Sequence, residues 1–326
     1  MSKMTLDTLK TFIASYVAEA KQAGAYAGTV DEYTKMIEKI GKQITIDGVF
    51  QDKLAGLFEG EDLPYGKTIE EYFMDIPSPV DFEDGVSEED TWKTYRPTFE
   101  EACYSYTLGR RKIPLVDAYD TIEAVCNDGT ALSELASDKF KKFQDAYTNV
   151  VYSQKEQLLG NVYAKVNALT DETIKGKMME SLAKPTDTET GEAFILRIKE
   201  CVEDASDRNE SNCLSGSLIG VAPSLVLIVN KKVLPNLDVN TLAGAFHEDK
   251  LALGVEVRTV DSFGTVADTA NVYAMLVDPR GIKIHNSYNA IRSDSNANKD
   301  AVRYIRHYEN TGFISKYTYA HIFKTA

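Results

Sequence analysis

The sequence predicts an α+β protein, on three observations. From Leu132 to about Leu169, apolar residues keep three-to-four spacing with no proline, which predicts one long helix. The second half alternates apolar strands with short helices, the pattern of an α/β or α+β domain. The stretch Gly312–Thr325 alternates strictly. Phe313, Ser315, Tyr317, Tyr319, His321 and Phe323 fall on one face and Ile314, Lys316, Thr318, Ala320, Ile322 and Lys324 on the other. Read locally, it is one unbroken strand of roughly 40 Å at about 3.3 Å per residue, and a chain end this apolar needs a partner in a sheet.

Two amphipathic helices are expected first, at 6–20 and 30–40, separated by Gly24-Ala-Tyr-Ala-Gly28. Asp31 or Thr29 could cap the second, and a short helix is expected over Gln51–Phe58. Residues 67–115 read as a hairpin with a long tip. Its outgoing strand runs Ile69–Ile76 to the stop Ile76-Pro-Ser-Pro79. Its tip covers 81–97 with the only tryptophan, Trp92, and its return strand is Tyr104–Leu108. Loops of this length in a compact domain are usually functional or disordered, and Trp92 at the tip suggests either a contact with something or local packing.

The long helix follows, with only Gly160 weakening it. Its single stripe sets it against a sheet or a neighbour. Lys184–Gly191 is a polar linker and the best internal boundary. Then come a helix over Glu192–Ala205, a polar loop over Ser206–Ser217, an apolar strand Leu218–Asn230 and a helix over Asn240–Phe246. Strands at Leu253–Val260 and Val272–Val277 complete the series. Asp278-Pro-Arg-Gly281 has the chemistry of a tight turn into the strand Ile282–His285.

At 326 residues, 43% hydrophobic and 26% charged, the chain suits one large or two medium domains. No apolar run reaches the roughly 18 residues of a membrane span, and Met1-Ser-Lys-Met does not open a signal peptide. Synthesis in the cytoplasm is the expectation. Cys103, Cys126, Cys201 and Cys213 are widely spaced and read as small buried or half-buried thiols of a reducing compartment.

Net charge is −14, and residues 59–101 carry fourteen acids against Lys67, Lys93 and Arg96. That segment alone is −11, leaving −3 for the rest. Arg110, Arg111 and Lys112 follow directly. Such a run is either a solvated loop or an arm that meets a basic partner. No basic stripe exists to neutralise phosphates, which argues against direct nucleic-acid binding.

Signatures of catalysis are absent. There is no GxGxxG, no GxxxxGK[ST] and no GxSxG elbow. His247, His285, His307 and His321 are scattered, and His321, alternating with aromatics, reads as a packed histidine rather than a ligand. No catalytic residue, cofactor or metal site is expected, and the reading is structural.

Two stretches carry a resemblance. Asn271-Val-Tyr-Ala-Met-Leu-Val-Asp-Pro-Arg-Gly-Ile-Lys-Ile-His285 and Glu309-Asn-Thr-Gly-Phe-Ile-Ser-Lys-Tyr-Thr-Tyr-Ala-His-Ile-Phe323 resemble the C-terminal region of tailed-bacteriophage major capsid proteins. Arg110-Arg-Lys-Ile-Pro-Leu-Val-Asp-Ala-Tyr-Asp120 is similar to the same family where a hairpin leads into the long helix. The resemblance implies a short-tailed phage and the Hong Kong 97 fold. Residues 1–58 would be the N-terminal arm with its helices and 59–112 the E-loop. Residues 113–190 with 303–326 would be the P domain, its terminal strand beside the spine helix, and 191–302 the A domain.

The implied role is a shell protein forming pentamers and hexamers of an icosahedral or prolate capsid around double-stranded DNA, which it encloses without reading sequence. The implied location is the virion, assembled in the host cytoplasm without a membrane. The stretch before the E-loop is short, so scaffolding protein would be separate, as would portal and accessory capsid proteins. The implied subunit interface comprises Asp81, Glu83, Asp84, Glu88, Glu89, Asp90, Trp92, Lys93, Arg96, Arg110, Arg111 and Lys112. No covalent cross-link is assumed at Lys93. An encapsulin-type compartment shell is the nearest rival, and a cytosolic α/β enzyme the rival of another class; the latter would need a concave pocket with convergent polar groups.

Overall fold

The computed structural model describes residues 3–4, 45–46, 51–63, 68–74, 99–104, 110–118, 129–206, 214, 225–233, 255–296 and 300–325. The expected helices at 6–20, 30–40 and 240–246 lie outside them, as do the hairpin tip and the first half of the strand expected at Leu218–Asn230. In chain order the strands are β1 Lys3–Met4, β2 Thr45–Ile46, β3 Ile69–Met74, β4 Phe99–Tyr104, β5 Arg111–Ala118, β6 Met179–Ser181, β7 Val226–Asn230, β8 Glu256–Val260, β9 Val272–Val277, β10 Ile282–Asn296, β11 Ala301–Ile314 and β12 Ala320–Lys324. The helices are α1 Gly129–Asn167, α2 Glu172–Met178 and α3 Thr188–Ser206. Two units form: residues 64–107, and the remainder of the chain.

The long helix is α1, 39 residues and so about 58 Å at 1.5 Å per residue. Its stripe Leu158, Leu159, Val162, Tyr163 and Val166 is buried. It ends as Leu169 N–H reaches back to Val166 O, tightening the last turn. Asp171 then caps α2 by accepting from the Thr173 and Ile174 amides.

That stripe packs on one face of a five-stranded sheet of order β6-β12-β9-β7-β8. Val226, Ile228, Met275, Val277, Ala320 and Ile322 supply the sheet side of this core. The alternate residues Leu227, Val229, Leu276 and Phe323 face a second core with Phe194, Ile198, Cys201 and Ala205 of α3. A sheet covered on both faces explains why β7 and β9 read as continuous apolar runs.

α1 also carries the loop after β8. Glu156 accepts from the Asp261 and Ser262 amides and Gln157 from the Thr265 amide. Close approach explains the glycine inside the helix, because a Cβ at residue 160 would lie 2.5 Å from the Phe263 carbonyl oxygen. Gly-to-Ala inside a helix usually stabilises by about 1 kcal/mol. Here Gly160→Ala is expected instead to cost about 1–3 kcal/mol from overpacking against backbone, read as a lower denaturation midpoint; a stabilised variant would contradict the contact.

The expectations at 312–325 and 51–58 need correction. The stretch 312–325 is not one strand. β11 ends at Ile314, a turn follows, and β12 begins at Ala320 in the other sheet. The turn is set by a distant partner: Ser315 N–H and Thr318 Oγ1 both donate to Gly281 O, and Tyr317 N–H donates to Ser315 Oγ. Gly281 must be glycine there, since a Cβ would meet Thr318 Oγ1 at 2.0 Å.

Gln51–Phe58 is not a helix. Asp52 accepts from the Leu54 amide, and Gly56 and Phe58 take positive φ of 78° and 62°. In the hairpin β4 pairs with β3, Tyr104 opposite Ile69; the rest of the return strand expected at Tyr104–Leu108 lies outside the described residues.

The strand beside α1 is therefore β11, central in a three-stranded sheet β10-β11-β5. Its inward residues Val302, Tyr304, Arg306 and Tyr308 are buried. Arg306 stacks on Tyr147 of α1 at 3.9 Å and donates to Asn289, Phe143 O and Gln144. Tyr147 donates to Asn310, and Leu158 fills the space over Gly312. Lys139 of α1 pairs with Asp117 of β5. β5 is an edge strand, the kind of strand in which a sheet tolerates a proline such as Pro114. The turn expected at 278–281 is present, with Asp278 accepting from the Arg280 amide.

Candidate assembly surface

The face of the three-stranded sheet turned away from α1 gathers Arg110 and Lys112 of the basic run that the sequence singled out, whereas Arg111, opposite inward Tyr308, falls on the other face. Antiparallel pairing puts opposed residues on one face. Lys112 stands opposite His307, Pro114 opposite Ile305 and Val116 opposite Arg303. Across β10 the same β11 residues face Ala290, Arg292 and Asp294, and Glu309 faces Tyr288. Lys112, Pro114, Val116 and Ala118 are all exposed, and Val116 retains 60% of its accessible surface.

Arg110 is exposed at the entrance to β5. Its guanidinium lies 4.2 Å from the Tyr288 ring centroid and 3.8 Å from the carboxylate of buried Glu309. Arg292 donates to the Tyr288 hydroxyl, and Arg303 pairs with Asp294 at 2.7 Å. Arg111 is exposed opposite Tyr308. Burial, then Arg292, Arg110 and Lys112, hold His307 below its ordinary pKa, as expected where cations crowd. The face is a net cationic surface with apolar patches on a chain that is strongly acidic overall.

The other unit is a two-stranded hairpin of the opposite sign. Glu70 and Glu71 on β3 pair across to β4, which carries Glu100 and Glu101. Tyr72 donates to Glu70 and Tyr104 to Glu71. Tyr72 is 59% exposed, and the Glu70 carboxylate that accepts its hydroxyl raises its pKa, helped by Glu101. Asp81, Glu83, Asp84, Glu88, Glu89, Asp90, Trp92, Lys93 and Arg96 lie outside the described residues.

Arg110, Arg111 and Lys112 were visible as a contiguous basic run, and they stand at one edge of the sheet. Arg292, Arg303, His307 and Tyr288 escaped sequence reasoning because only strand register brings them together. Period-two alternation through 288–294 and 301–309 was the available signal. Of the cysteines, Cys201 is buried as expected, whereas Cys103 is exposed. Among the described residues no helix is long and apolar enough to cross a membrane.

The sequence profile of the Phi29-like phage major capsid protein family matches residues 15–324. No curated protein matches the chain. Among solved structures, the capsid structure of Staphylococcus phage Andhra is similar with a TM-score of 0.61 at 13% identity, covering 86% of each chain. The capsid of Cyanophage P-SCSP1u gives a TM-score of 0.54 at 9% identity, over 86% of this chain and 91% of that one. The mature capsid of bacteriophage PhiM1 gives 0.53 at 9% identity, over 86% and 89%. At these identities the likeness establishes a shared fold.

Proposed function

This chain belongs to the Phi29-like phage major capsid protein family, and from that premise we propose that it builds the virion shell by laying the acidic hairpin of one copy across the basic sheet face of the next. The family makes it a structural shell protein of the virion. The finer reading is ours. Copies close into pentamers and hexamers of an icosahedral or prolate shell around double-stranded DNA, in the Hong Kong 97 arrangement. In that arrangement residues 59–112 serve as E-loop, 1–58 as N-terminal arm, 113–190 with 303–326 as P domain and 191–302 as A domain. Scaffolding, portal and accessory proteins are separate chains, and no catalytic step is involved.

The observation that carries the reading is complementarity between two surfaces of the same chain. Residues 59–101 hold a net −11, while the sheet face presents Arg110, Lys112, Arg292 and Arg303 beside exposed Val116. Opposite fields orient encounter and fix register. Each exposed pair contributes only about 0–1 kcal/mol, so the contact works through many pairs and the apolar patches they border. An acidic shell also avoids adhering to the packaged DNA.

Arg110→Glu with Lys112→Glu should therefore lower the yield of assembled particles in sedimentation. The gap from wild type should narrow at high salt, where charge contacts are screened within about 3–8 Å. Wild-type yield at both low and high salt would overturn the electrostatic contact.

A further inference from the structure

We propose that Glu180, Cys201 and His321 form a binding site for a thiophilic divalent cation, with Zn2+ the natural occupant. The three residues come from β6, α3 and β12, and their ligand atoms all lie within 4.8 Å of one another. The expectation from sequence was that His321 merely packs. It is indeed 2% exposed, but its polar atoms are arranged for more than packing.

His321 Nδ1 stands 2.8 Å from the Lys177 carbonyl oxygen. A carbonyl can only accept, so Nδ1 donates to it, and Nε2 is the ring nitrogen left to face Glu180. Nε2 is fully buried without a hydrogen bond and stands 3.4 Å from Glu180 Oε1. The buried ring nitrogen, the carboxylate and the thiol thus converge on one point, which a cation between them would occupy. A backbone carbonyl fixing one ring nitrogen while the other is offered is also how metal-binding histidines are oriented.

The third donor selects the metal. A thiol, an imidazole and a single carboxylate suit Zn2+ far better than Ca2+ or Mg2+, which take oxygen shells. Zinc distances of about 2.0–2.3 Å imply ligand–ligand separations of roughly 3.3–3.8 Å in a tetrahedron. The donors would need to draw together only modestly. The Glu180 side chain retains 23% of its surface, so one of the three donors reaches solvent. Arg197 Nε donates to both Glu180 oxygens at 3.0 Å and would keep one of them as the outer partner when the other turns to metal.

Binding exchanges protons for metal. The Cys201 thiol loses its proton to solvent, as does Nε2 where it is protonated, and the cation takes their place. Because the thiol must shed its proton to bind, occupancy should weaken as the pH falls. Filled, the site would tie β6 and β12 to α3.

Cobalt(II), as a spectroscopic stand-in for zinc, tests the site in the purified full chain. One equivalent should give a thiolate-to-cobalt charge-transfer band that Zn2+ displaces. Cys201→Ala should abolish the band. His321→Gln should weaken the apparent affinity by at least the roughly 10–100-fold that outer-shell changes cost. Cys103→Ser, Cys126→Ser and Cys213→Ser should leave it unchanged. X-ray absorption on the zinc-loaded wild type, which needs no variant to fold, should show one sulfur in the shell. A folded wild type with no thiolate band, a shell of nitrogen and oxygen alone, or a band that survives Cys201→Ala would overturn the site in favour of a simple imidazole–carboxylate pair.

Discussion

Lys155→Met is expected to destabilise the subunit by about 3–5 kcal/mol, the usual cost of removing one partner from a buried ion pair. Lys155 is 1% exposed in the middle of α1. Its ammonium donates to Asp52 Oδ2 at 2.6 Å and to Leu54 O at 2.9 Å. Asp52 Oδ1 meanwhile holds the Leu54 amide, so one carboxylate and one ammonium fix the whole turn over α1. Beyond it, Leu54, Leu57 and Phe58 enter the main core, and Gly60 N–H donates to Ile284 O of β10. With methionine the carboxylate and the carbonyl would stay buried without their partner. Chemical denaturation of the purified subunit reads the loss. The double change Asp52→Leu with Lys155→Met should recover part of it, because replacing both charges by apolar groups removes the desolvation cost. Equal stability of wild type and Lys155→Met would contradict the arrangement.

Phe194→Ala should cost a similar amount, about 3–5 kcal/mol, through a cavity rather than a charge. Phe194 is fully buried on α3. Its ring meets Phe323 edge-on at 5.3 Å and Tyr273 at 5.5 Å, so it fastens the helix to β12 and β9 together. Phe194→Leu keeps most of the volume and should lose less than half as much in the same denaturation experiment. Equal losses for alanine and leucine would mean that the ring contacts, not the volume, set the effect.

What could be read from sequence was whatever local pattern decides. α1 has one stripe and no proline, β9 is a short apolar run, and the Asp278–Gly281 turn has a side-chain acceptor and a proline at the required places. What could not be read was decided by distant partners. The alternation through 312–325 is sound β chemistry, yet Gly281 O captures Ser315 and Thr318 and turns the chain from one sheet into the other. The residues of each half do form strands; the break between them is tertiary.

β10 shows the opposite failure. Asn286 to Asn296 is rich in Asn and Ser, which strands disfavour, so only Ile282–His285 was expected to be extended. Pairing with β11 along nearly its whole length holds it. At the assembly surface the same division applies. Arg110 and Lys112 stand in one basic run that the sequence displays; Arg292 and Arg303 join them on that face only through the register of β10 and β11. At Glu180, Cys201 and His321 no spacing rule could have helped, because each residue comes from a different element.

Electron microscopy of the purified full chain, alone and with the scaffolding protein proposed above, is the decisive experiment. Closed shells built from five- and six-membered rings are predicted, with density from each subunit's 64–107 hairpin lying over the outer β10-β11-β5 face of a neighbour. A protein that stays a compact monomer under both conditions, or shells in which that basic face is left uncovered, would contradict the account.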